Sequence, residues 1–215
     1  MFKKNFKKKI SITLLMIMLL PAFYVGSHVA VNYYNNNFHE IITGELYRSA
    51  QPDYQLITYL WKNYKIKSII NLRGESKEQP WYQEEEQITK KLGIHLMNFR
   101  MSAFRELTTK EINTLIEMMK NSPKPLLIHC KGGADRTGLA SALYLMTIVS
   151  DSASQAENQL SFIYGYLPLL YPKKQAMQST FTKVKKLYTR SEQQKISSII
   201  TEQSSRNTIK NKELF

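Results

Sequence analysis

The chain has 215 residues, 43% of them hydrophobic, and a formal net charge of +13, which suit one domain with terminal extensions. Residues 1–39 carry five lysines and no acidic residue, residues 173–190 carry six basic residues and no acidic one, and residues 40–172 are nearly neutral. A nearly neutral body argues against a nucleic-acid partner, and basic ends favour an anionic membrane surface. A solvated helix face is the alternative for residues 173–190.

Residues 1–31 have the layout of a secretory signal peptide or a signal-anchor helix. A lysine cluster precedes an uncharged stretch from Ile10 to Gly26, close to the roughly 20 apolar residues that span a bilayer. Lysines before such a stretch keep the N-terminus in the cytoplasm. We therefore expect a membrane-anchored or secreted protein whose catalytic domain lies on the extracytoplasmic (periplasmic) side. A buried core helix is the alternative.

Residues 32–43 are polar and indicate a linker, whereas residues 44–190 alternate between apolar runs and helical patterns. This alternation predicts an α/β fold with a central, mostly parallel sheet of about four or five strands flanked by helices. Residues 191–215 have the composition of a disordered tail. Strands are expected at 44–49, 66–72, 94–99 and 126–129, and helices at 52–61, 81–92, 108–120, 137–149, 153–164 and 174–189.

The stretch HCKGGADRTG, residues 129–138, lies between a predicted strand and a predicted helix. Gly132, Gly133 and Ala134 allow the backbone to curl so that its N–H groups face an anion. The following helix directs its positive end at the same point. Arg136 adds a bidentate contact to two phosphate oxygens. The pattern predicts a phosphate-binding loop that also includes Lys131.

Cys130 is the only cysteine, so it cannot form an internal disulfide. The positive field of the loop favours its thiolate, which can attack a bound phosphoryl group and form a cysteinyl-phosphate that water then hydrolyses. His129 is expected to orient the loop, and the hydroxyl of Thr137 to hydrogen-bond the sulfur. A buried structural cysteine is the alternative. This chemistry needs no metal or other cofactor, and none is expected.

The loop resembles the H-C-x5-R-[S/T] motif of the cysteine-dependent protein tyrosine phosphatase superfamily, which His129, Cys130, Arg136 and Thr137 match. Residues 47–52 and 71–73 look like the compact dual-specificity branch, especially its bacterial and atypical members. The resemblance covers about residues 44–190. Arg48 and Arg73, which lie in these stretches, are expected to form structural ion pairs rather than to contact substrate.

The resemblance implies a phosphomonoester hydrolase, and three functions are weighed. The first is a protein tyrosine or dual-specificity phosphatase acting on phosphoproteins. The second is a phosphoinositide or inositol phosphate phosphatase, favoured by Lys131, which resembles a lysine of the tensin-like lipid phosphatases. The third is a non-catalytic phosphate-binding module, which the intact Cys130 and Arg136 argue against.

The leaving oxygen needs a proton. Most members of the superfamily supply it from an aspartate on a separate loop, but the corresponding residues 97–106 contain none. Asp135 and Glu106 are the candidate acids, and an acid from neither is the third option. Asp135 occupies the place of the acid in myotubularin-type phosphatases, and a carboxyl group near a thiolate and a phosphate can retain its proton. A helix cap or a brace for Arg136 is the structural alternative.

Overall fold

The structure, a computed structural model, describes residues 2–189, with the side chains of residues 16, 17, 19–21 and 23–189. The predicted tail at 191–215 lies outside the described residues. The strands are β1 His39–Ile42, β2 Leu46–Ser49, β3 Ser68–Asn71, β4 His95–Asn98 and β5 Leu126–His129. The helices are α1 Phe2–Tyr34, α2 Tyr54–Tyr64, α3 Pro80–Leu92, α4 Thr109–Asn121, α5 Asp135–Thr147, α6 Ala153–Glu157 and α7 175–189, with 3₁₀ turns at Phe162–Tyr164 and Pro172–Lys174.

The five strands form one sheet in the order β1–β2–β5–β3–β4. Strands β2, β5, β3 and β4 are parallel, and β1 joins the edge in the antiparallel sense. The predicted α/β fold with a mostly parallel sheet is confirmed. The register aligns Ser49, His129 and Asn71, the last residues of three neighbouring strands. The loops that follow these strands therefore meet at the carboxyl ends of the parallel strands.

Alternate residues of the central strand β5 enter different cores, because successive side chains of a strand point to opposite faces. Leu126 and Ile128 pack with α4, α5, α6 and α7, whereas Leu127 packs with α2 and α3. Helix α5 is buried from Thr137 to Met146, since it lies between the sheet and α4 and α6. This burial holds the start of α5 rigidly above the end of β5.

Local capping sets the bounds of the surface helices. Asp53 caps α2 by accepting from the backbone N–H of Leu56 at 2.8 Å. Helix α3 ends at Gly93, which adopts the left-handed φ of 70°. The predicted capping box at α4 is confirmed: Thr108 accepts from the N–H of Glu111, and the Glu111 carboxylate accepts from the N–H of Thr108.

The N-terminal region differs from the expected linker at 32–43. Helix α1 continues to Tyr34, and His39–Ile42 forms the edge strand β1. The end of α1 contacts the body, because Asn32 Nδ2 donates to the carbonyl oxygen of Ile163 at 3.0 Å and the ring of His28 stacks on Phe162. The strand has little apolar alternation, so its pairing with β2 is a tertiary effect that local sequence does not encode.

The part of the chain that the structure describes contains no helix that is both long enough and apolar enough to cross a membrane.

The helix expected over 153–164 is interrupted. Helix α6 ends at Glu157, and a separate 3₁₀ turn follows at Phe162–Tyr164. In the interval the carbonyl oxygen of Gln159 turns to accept from Nη1 of Arg48 at 3.0 Å.

Candidate active site

Residues 130–136, called the nucleophile loop, follow the central strand β5 and lie at the carboxyl ends of the parallel strands. Cys130 is only 2% exposed. The backbone of Gln51, just after β2, donates to the carbonyl oxygen of Lys131 at 3.3 Å, and that of Leu72, just after β3, donates to the carbonyl oxygen of His129 at 2.9 Å. The neighbouring segments therefore hold both ends of the turn that presents the thiol.

The curl of the nucleophile loop depends on Gly133, which has a left-handed φ of +69°. A Cβ atom at this position would lie 2.7 Å from the backbone nitrogen of Ala50 and 2.8 Å from the carbonyl group of Ser49. Ala134 is the N-cap of α5, so the helix begins directly after the curl. The free N–H groups of its first turn therefore face the space above Cys130, which favours a bound anion.

Arg48 is fully buried and supports the nucleophile loop from behind. Its Nη2 donates to the carbonyl oxygen of Gly133 at 2.7 Å, and its Nη1 donates to Oε1 of Gln159 at 2.7 Å. The guanidinium lies 3.9 Å from the ring centroid of Tyr164. Burial lowers the pKa of Arg48 to about 10, and the nearby Tyr164 and Cys130 oppose that shift. Its structural role agrees with expectation, but its partners are carbonyl oxygens rather than a carboxylate.

Arg136 extends from the loop toward the segments after β3 and β4. Its Nη1 donates to the carbonyl oxygens of Leu72 and Met101, both at 3.4 Å. These long contacts leave the guanidinium only weakly bound, so an anion over Cys130 can compete for it.

A cleft of about 390 Å³ beside Arg136, called the cationic cleft, collects four basic side chains. Two belong to the nucleophile loop, Lys131 and Arg136, and two come from the segments after β3 and β4, Arg73 and Arg100. Arg73 lies 3.3 Å above the ring of Trp81. Burial, followed by the positive charge of Arg136, lowers the pKa of Arg73. A bound polyanion would relieve this repulsion between the two arginines.

Asp135 lies in the nucleophile loop and is the first residue of α5. Its Oδ2 lies 3.0 Å from Nζ of Lys174 in the second 3₁₀ turn, so its ion-pair partner is on another element rather than the Arg136 of the structural alternative. Asp135 and Lys174 line a cavity of about 600 Å³ on the α1 side of the loop, which Lys131 and Gly132 also border. The role of Asp135 as the acid stays a prediction.

Glu106, the alternative acid, lies exposed on the segment between β4 and α4. The neighbouring Arg105 binds the carboxylate of Glu111 through both terminal nitrogens, at 2.9 and 2.6 Å. This pair fixes the segment to the first turn of α4. The structure gives no contact between the Glu106 carboxylate and the nucleophile loop.

His129 and Thr137 flank the loop, and both are fully buried. Nε2 of His129 lies 2.6 Å from Oε1 of Glu85, although neither atom has a hydrogen-bond partner among the described residues. The expected role of His129 in orienting the loop stays a prediction. The hydroxyl of Thr137 has no hydrogen-bond partner among residues 2–189, so the expected bond to the sulfur is not formed.

The sequence analysis did not identify the roles of two supporting residues, Gln51 and Glu85. Glu85 had a detectable signal, because it lies on the helical face of α3 that also carries Tyr82 and Ile88, where an apolar residue is the rule. The role of Gln51 had none, since its side-chain partners Arg73 and Glu85 come from distant parts of the chain. Within the described residues, no group of three or more His, Cys, Asp or Glu is placed to hold a metal ion.

A family model described as PTP-NADK, a DSP-PTPase phosphatase fused to NAD+ kinase, matches residues 20–198. The chain belongs to this phosphatase family. It is accordingly an enzyme of the cysteine-dependent, protein-tyrosine-phosphatase-like kind, and the predicted superfamily is confirmed.

The chain is similar in sequence and in fold to an inositol diphosphatase of yeast. Inositol diphosphatase SIW14 of Saccharomyces cerevisiae is 35% identical over 107 residues, which are 47% of this chain but only 36% of the yeast protein. The crystal structure of the core catalytic domain of SIW14, described as a PP-IP phosphatase, in complex with citrate superposes with a TM-score of 0.54 at 26% identity, covering 66% of this chain and 83% of that one.

TpbA of P. aeruginosa, crystallised in complex with pTyr, has the same fold. It superposes with a TM-score of 0.54 at 18% identity and covers 68% of this chain and 83% of TpbA. At that identity the likeness concerns the fold alone.

Proposed function

We propose that this phosphatase hydrolyses small, densely phosphorylated molecules of the inositol phosphate class, using Cys130 as its nucleophile. The observation that carries the proposal is the cationic cleft, where Arg73, Arg100 and Lys131 accompany Arg136. The loop N–H groups and Arg136 suffice to bind one phosphoryl group. Three further cations are suited to the additional phosphates of the same molecule. The similarity to the inositol diphosphatase SIW14 supports the same substrate class.

The proposed reaction proceeds in two steps. The thiolate of Cys130 attacks phosphorus in line, the bond from phosphorus to the leaving oxygen breaks, and Asp135 donates its proton to that oxygen. Arg136 and the loop N–H groups hold the non-bridging oxygens, where charge is concentrated in the transition state. Water, deprotonated by Asp135, then cleaves the S–P bond, releasing inorganic phosphate and regenerating the thiolate and the protonated acid.

A substrate panel on the full chain tests the proposal. It contains myo-inositol hexakisphosphate, a diphosphoinositol phosphate, phosphoinositide vesicles, a phosphotyrosine peptide and para-nitrophenyl phosphate. We expect the highest kcat/KM on a soluble inositol phosphate, and no turnover by Cys130→Ser. A preference for the phosphotyrosine peptide would instead support the protein phosphatase considered from the sequence. Persistent turnover by Cys130→Ser would exclude the thiolate mechanism, and binding without turnover by the wild type would indicate a non-catalytic module.

We also propose that the catalytic domain acts on the extracytoplasmic side. Support comes from the lysine cluster that precedes the apolar stretch at Ile10 to Gly26. A β-lactamase fused to the C-terminus should confer ampicillin resistance on a bacterial host. The same fusion lacking residues 2–26 is the control and should confer none. Equal resistance, or none from either fusion, would contradict the proposed location.

A further inference from the structure

Glu85 is a carboxylate with only 1% of its surface exposed, yet neither of its oxygens meets a lysine or an arginine directly. Oε1 lies 2.6 Å from Nε2 of His129, the residue that precedes the nucleophile, and Oε2 accepts from Nε2 of Gln51 at 3.2 Å. A buried carboxylate is costly unless its oxygens receive hydrogen bonds. Oε2 receives one from Gln51, whereas the close contact of Oε1 with His129 lacks hydrogen-bond geometry. Gln51 is therefore the group that Glu85 holds by a hydrogen bond.

Gln51 continues this connection toward the cationic cleft. Its side-chain oxygen accepts from Nη1 of Arg73 at 2.8 Å, while its backbone N–H donates to the carbonyl oxygen of Lys131 at 3.3 Å. One residue thus contacts the nucleophile loop through its backbone and a cleft arginine through its side chain. Arg73 is also held against the ring of Trp81 at 3.3 Å.

The series of contacts from Glu85 through Gln51 to Arg73 has an electrostatic consequence. Arg73 lies close enough to Arg136 for the charge of Arg136 to lower its pKa, so a mobile side chain at 73 would turn away from the cleft. A carboxylate beside Arg73 would prevent this but would also neutralise the charge that binds an anion. Glu85 instead acts through the neutral amide of Gln51. The amide fixes the guanidinium and leaves its positive charge available to substrate.

We propose that Glu85 is a positioning residue that joins the nucleophile to a second phosphate subsite. One carboxylate oxygen orients His129 behind Cys130, and the other holds Gln51, which presents Arg73 to a further phosphate of the substrate. The proposal rests on the proposed function, because Arg73 has an anionic partner only if the substrate carries more than one phosphate. It assigns to Glu85 and Gln51 an effect on affinity for polyphosphates that a purely structural role would not produce.

The test uses two ligands. Para-nitrophenyl phosphate offers one phosphoryl group, so its hydrolysis reports on the nucleophile loop. Myo-inositol hexakisphosphate is added as a competitive inhibitor of that hydrolysis, and its Ki reports on the cationic cleft whether or not it is itself hydrolysed. The variants are Glu85→Gln, Gln51→Ala, Arg73→Ala and the double variant Gln51→Ala/Arg73→Ala. Glu86→Gln is the matched control, since Glu86 is an exposed glutamate on the same helix.

We expect Arg73→Ala to raise the Ki about tenfold or more, as for a lost hydrogen bond to a charged group. Gln51→Ala should raise it about three- to tenfold, with a clearly smaller change in kcat/KM for para-nitrophenyl phosphate, because its backbone bond to Lys131 is kept. The double variant should bind no more weakly than Arg73→Ala alone, since Gln51 acts through Arg73. Glu86→Gln should match the wild type in both measurements.

Glu85→Gln affects both ends of the connection. An amide keeps only one acceptor, so the contact with either His129 or Gln51 is lost. We expect a roughly tenfold lower kcat on para-nitrophenyl phosphate with a nearly unchanged KM, together with a raised Ki for the inhibitor. Thermal unfolding of each variant identifies loss of fold, and the partly exposed Gln51 provides the decisive comparison if Glu85→Gln unfolds.

The outcomes separate the two proposals. If hexakisphosphate inhibits the wild type no better than inorganic phosphate does, the proposed substrate class fails. If it inhibits well and Arg73→Ala weakens it, but Gln51→Ala and a folded Glu85→Gln leave the Ki unchanged, the positioning role is wrong while the substrate class stands. Additive effects of Gln51→Ala and Arg73→Ala would also contradict the connection.

Discussion

Arg48 donates from Nη2 to the carbonyl oxygen of Gly133 at 2.7 Å, across 85 residues of sequence. The bond fixes the carbonyl of the residue at the curl of the loop, and a loop held in this conformation can present its N–H groups to an anion. The arginine is itself fixed by Gln159 and covered by the ring of Tyr164. The phosphate-binding geometry of the nucleophile loop therefore depends on a side chain from the first parallel strand.

Replacing this brace should impair both stability and turnover. Arg48→Met leaves the carbonyl oxygens of Gly133 and Gln159 without their donor, and each buried acceptor left unpaired costs about 1–3 kcal/mol. We expect a lower free energy of unfolding in urea. We also expect kcat on para-nitrophenyl phosphate to fall on the order of tenfold, because losing about 1.4 kcal/mol of transition-state stabilisation lowers a rate tenfold. Arg48→Lys should not restore either quantity, because an ammonium cannot reproduce the planar fork.

Arg105→Met is the control for Arg48→Met. It removes an arginine that is about half exposed and paired with Glu111, so the unfolding free energy should fall much less than for Arg48→Met and kcat should be unchanged. Equal unfolding free energies and equal kcat values for the two variants would show that Arg48 does not support the loop.

Gly133→Ala should be far more damaging than the same change at the preceding glycine. A Cβ at 133 would lie 2.7 Å from the nitrogen of Ala50, and the left-handed φ of +69° is itself unfavourable for alanine. Strain and overlap together suggest a loss of about 2–4 kcal/mol in unfolding free energy. Gly132→Ala meets no atom within 4 Å and should change it by less than about 0.5 kcal/mol. Similar unfolding midpoints for both variants would refute the steric argument.

Features of this structure were predictable from the sequence where the interacting residues lie close together along the chain. The nucleophile loop was predictable because strand β5, the curl and helix α5 follow one another directly in the chain. The capping box of α4 was predictable for the same reason, since Thr108 and Glu111 are one helical turn apart. Such signals need no knowledge of the tertiary fold.

The supporting contacts were not predictable in this way. Arg48 and Gln159 are separated by 111 residues, and their contact lies in the interval where the helix expected over 153–164 is interrupted. The pairing of Asp135 with Lys174 likewise joins α5 to a 3₁₀ turn that no local pattern indicates. These contacts arise from packing, which overrides the local preference of each segment.

The pH dependence of stability should include a contribution from Glu111. The hydrogen bond from Arg105, followed by those from Thr108, lowers the pKa of Glu111 to about 2 from its ordinary value of 4.5. Since the folded state favours the ionised form, this stabilisation is fully present above about pH 4.5 and is lost as the pH falls toward 2. The difference in unfolding free energy between the wild type and Glu111→Gln should therefore shrink between pH 6 and pH 3. A constant difference for Glu111→Gln over this pH range would contradict the assignment.

The general acid can be identified by comparing substrates with good and poor leaving groups. Asp135 belongs to the nucleophile loop, whereas the exposed Glu106 lies on a segment held to α4 by its neighbour Arg105. We therefore expect Asp135→Asn to be the variant that impairs leaving-group protonation. A poor leaving group such as phenol depends on a proton far more than para-nitrophenol does. Asp135→Asn should therefore lower kcat on phenyl phosphate about 100-fold and on para-nitrophenyl phosphate only a few-fold, within the range of general acid catalysis. Glu106→Gln should lower kcat on both substrates equally or not at all. Lys174→Met removes the partner of Asp135 at 3.0 Å, so it distinguishes loss of the ion pair from loss of the proton donor. A larger leaving-group effect for Glu106→Gln would transfer the role to Glu106, and wild-type behaviour of both variants would exclude both carboxyl groups.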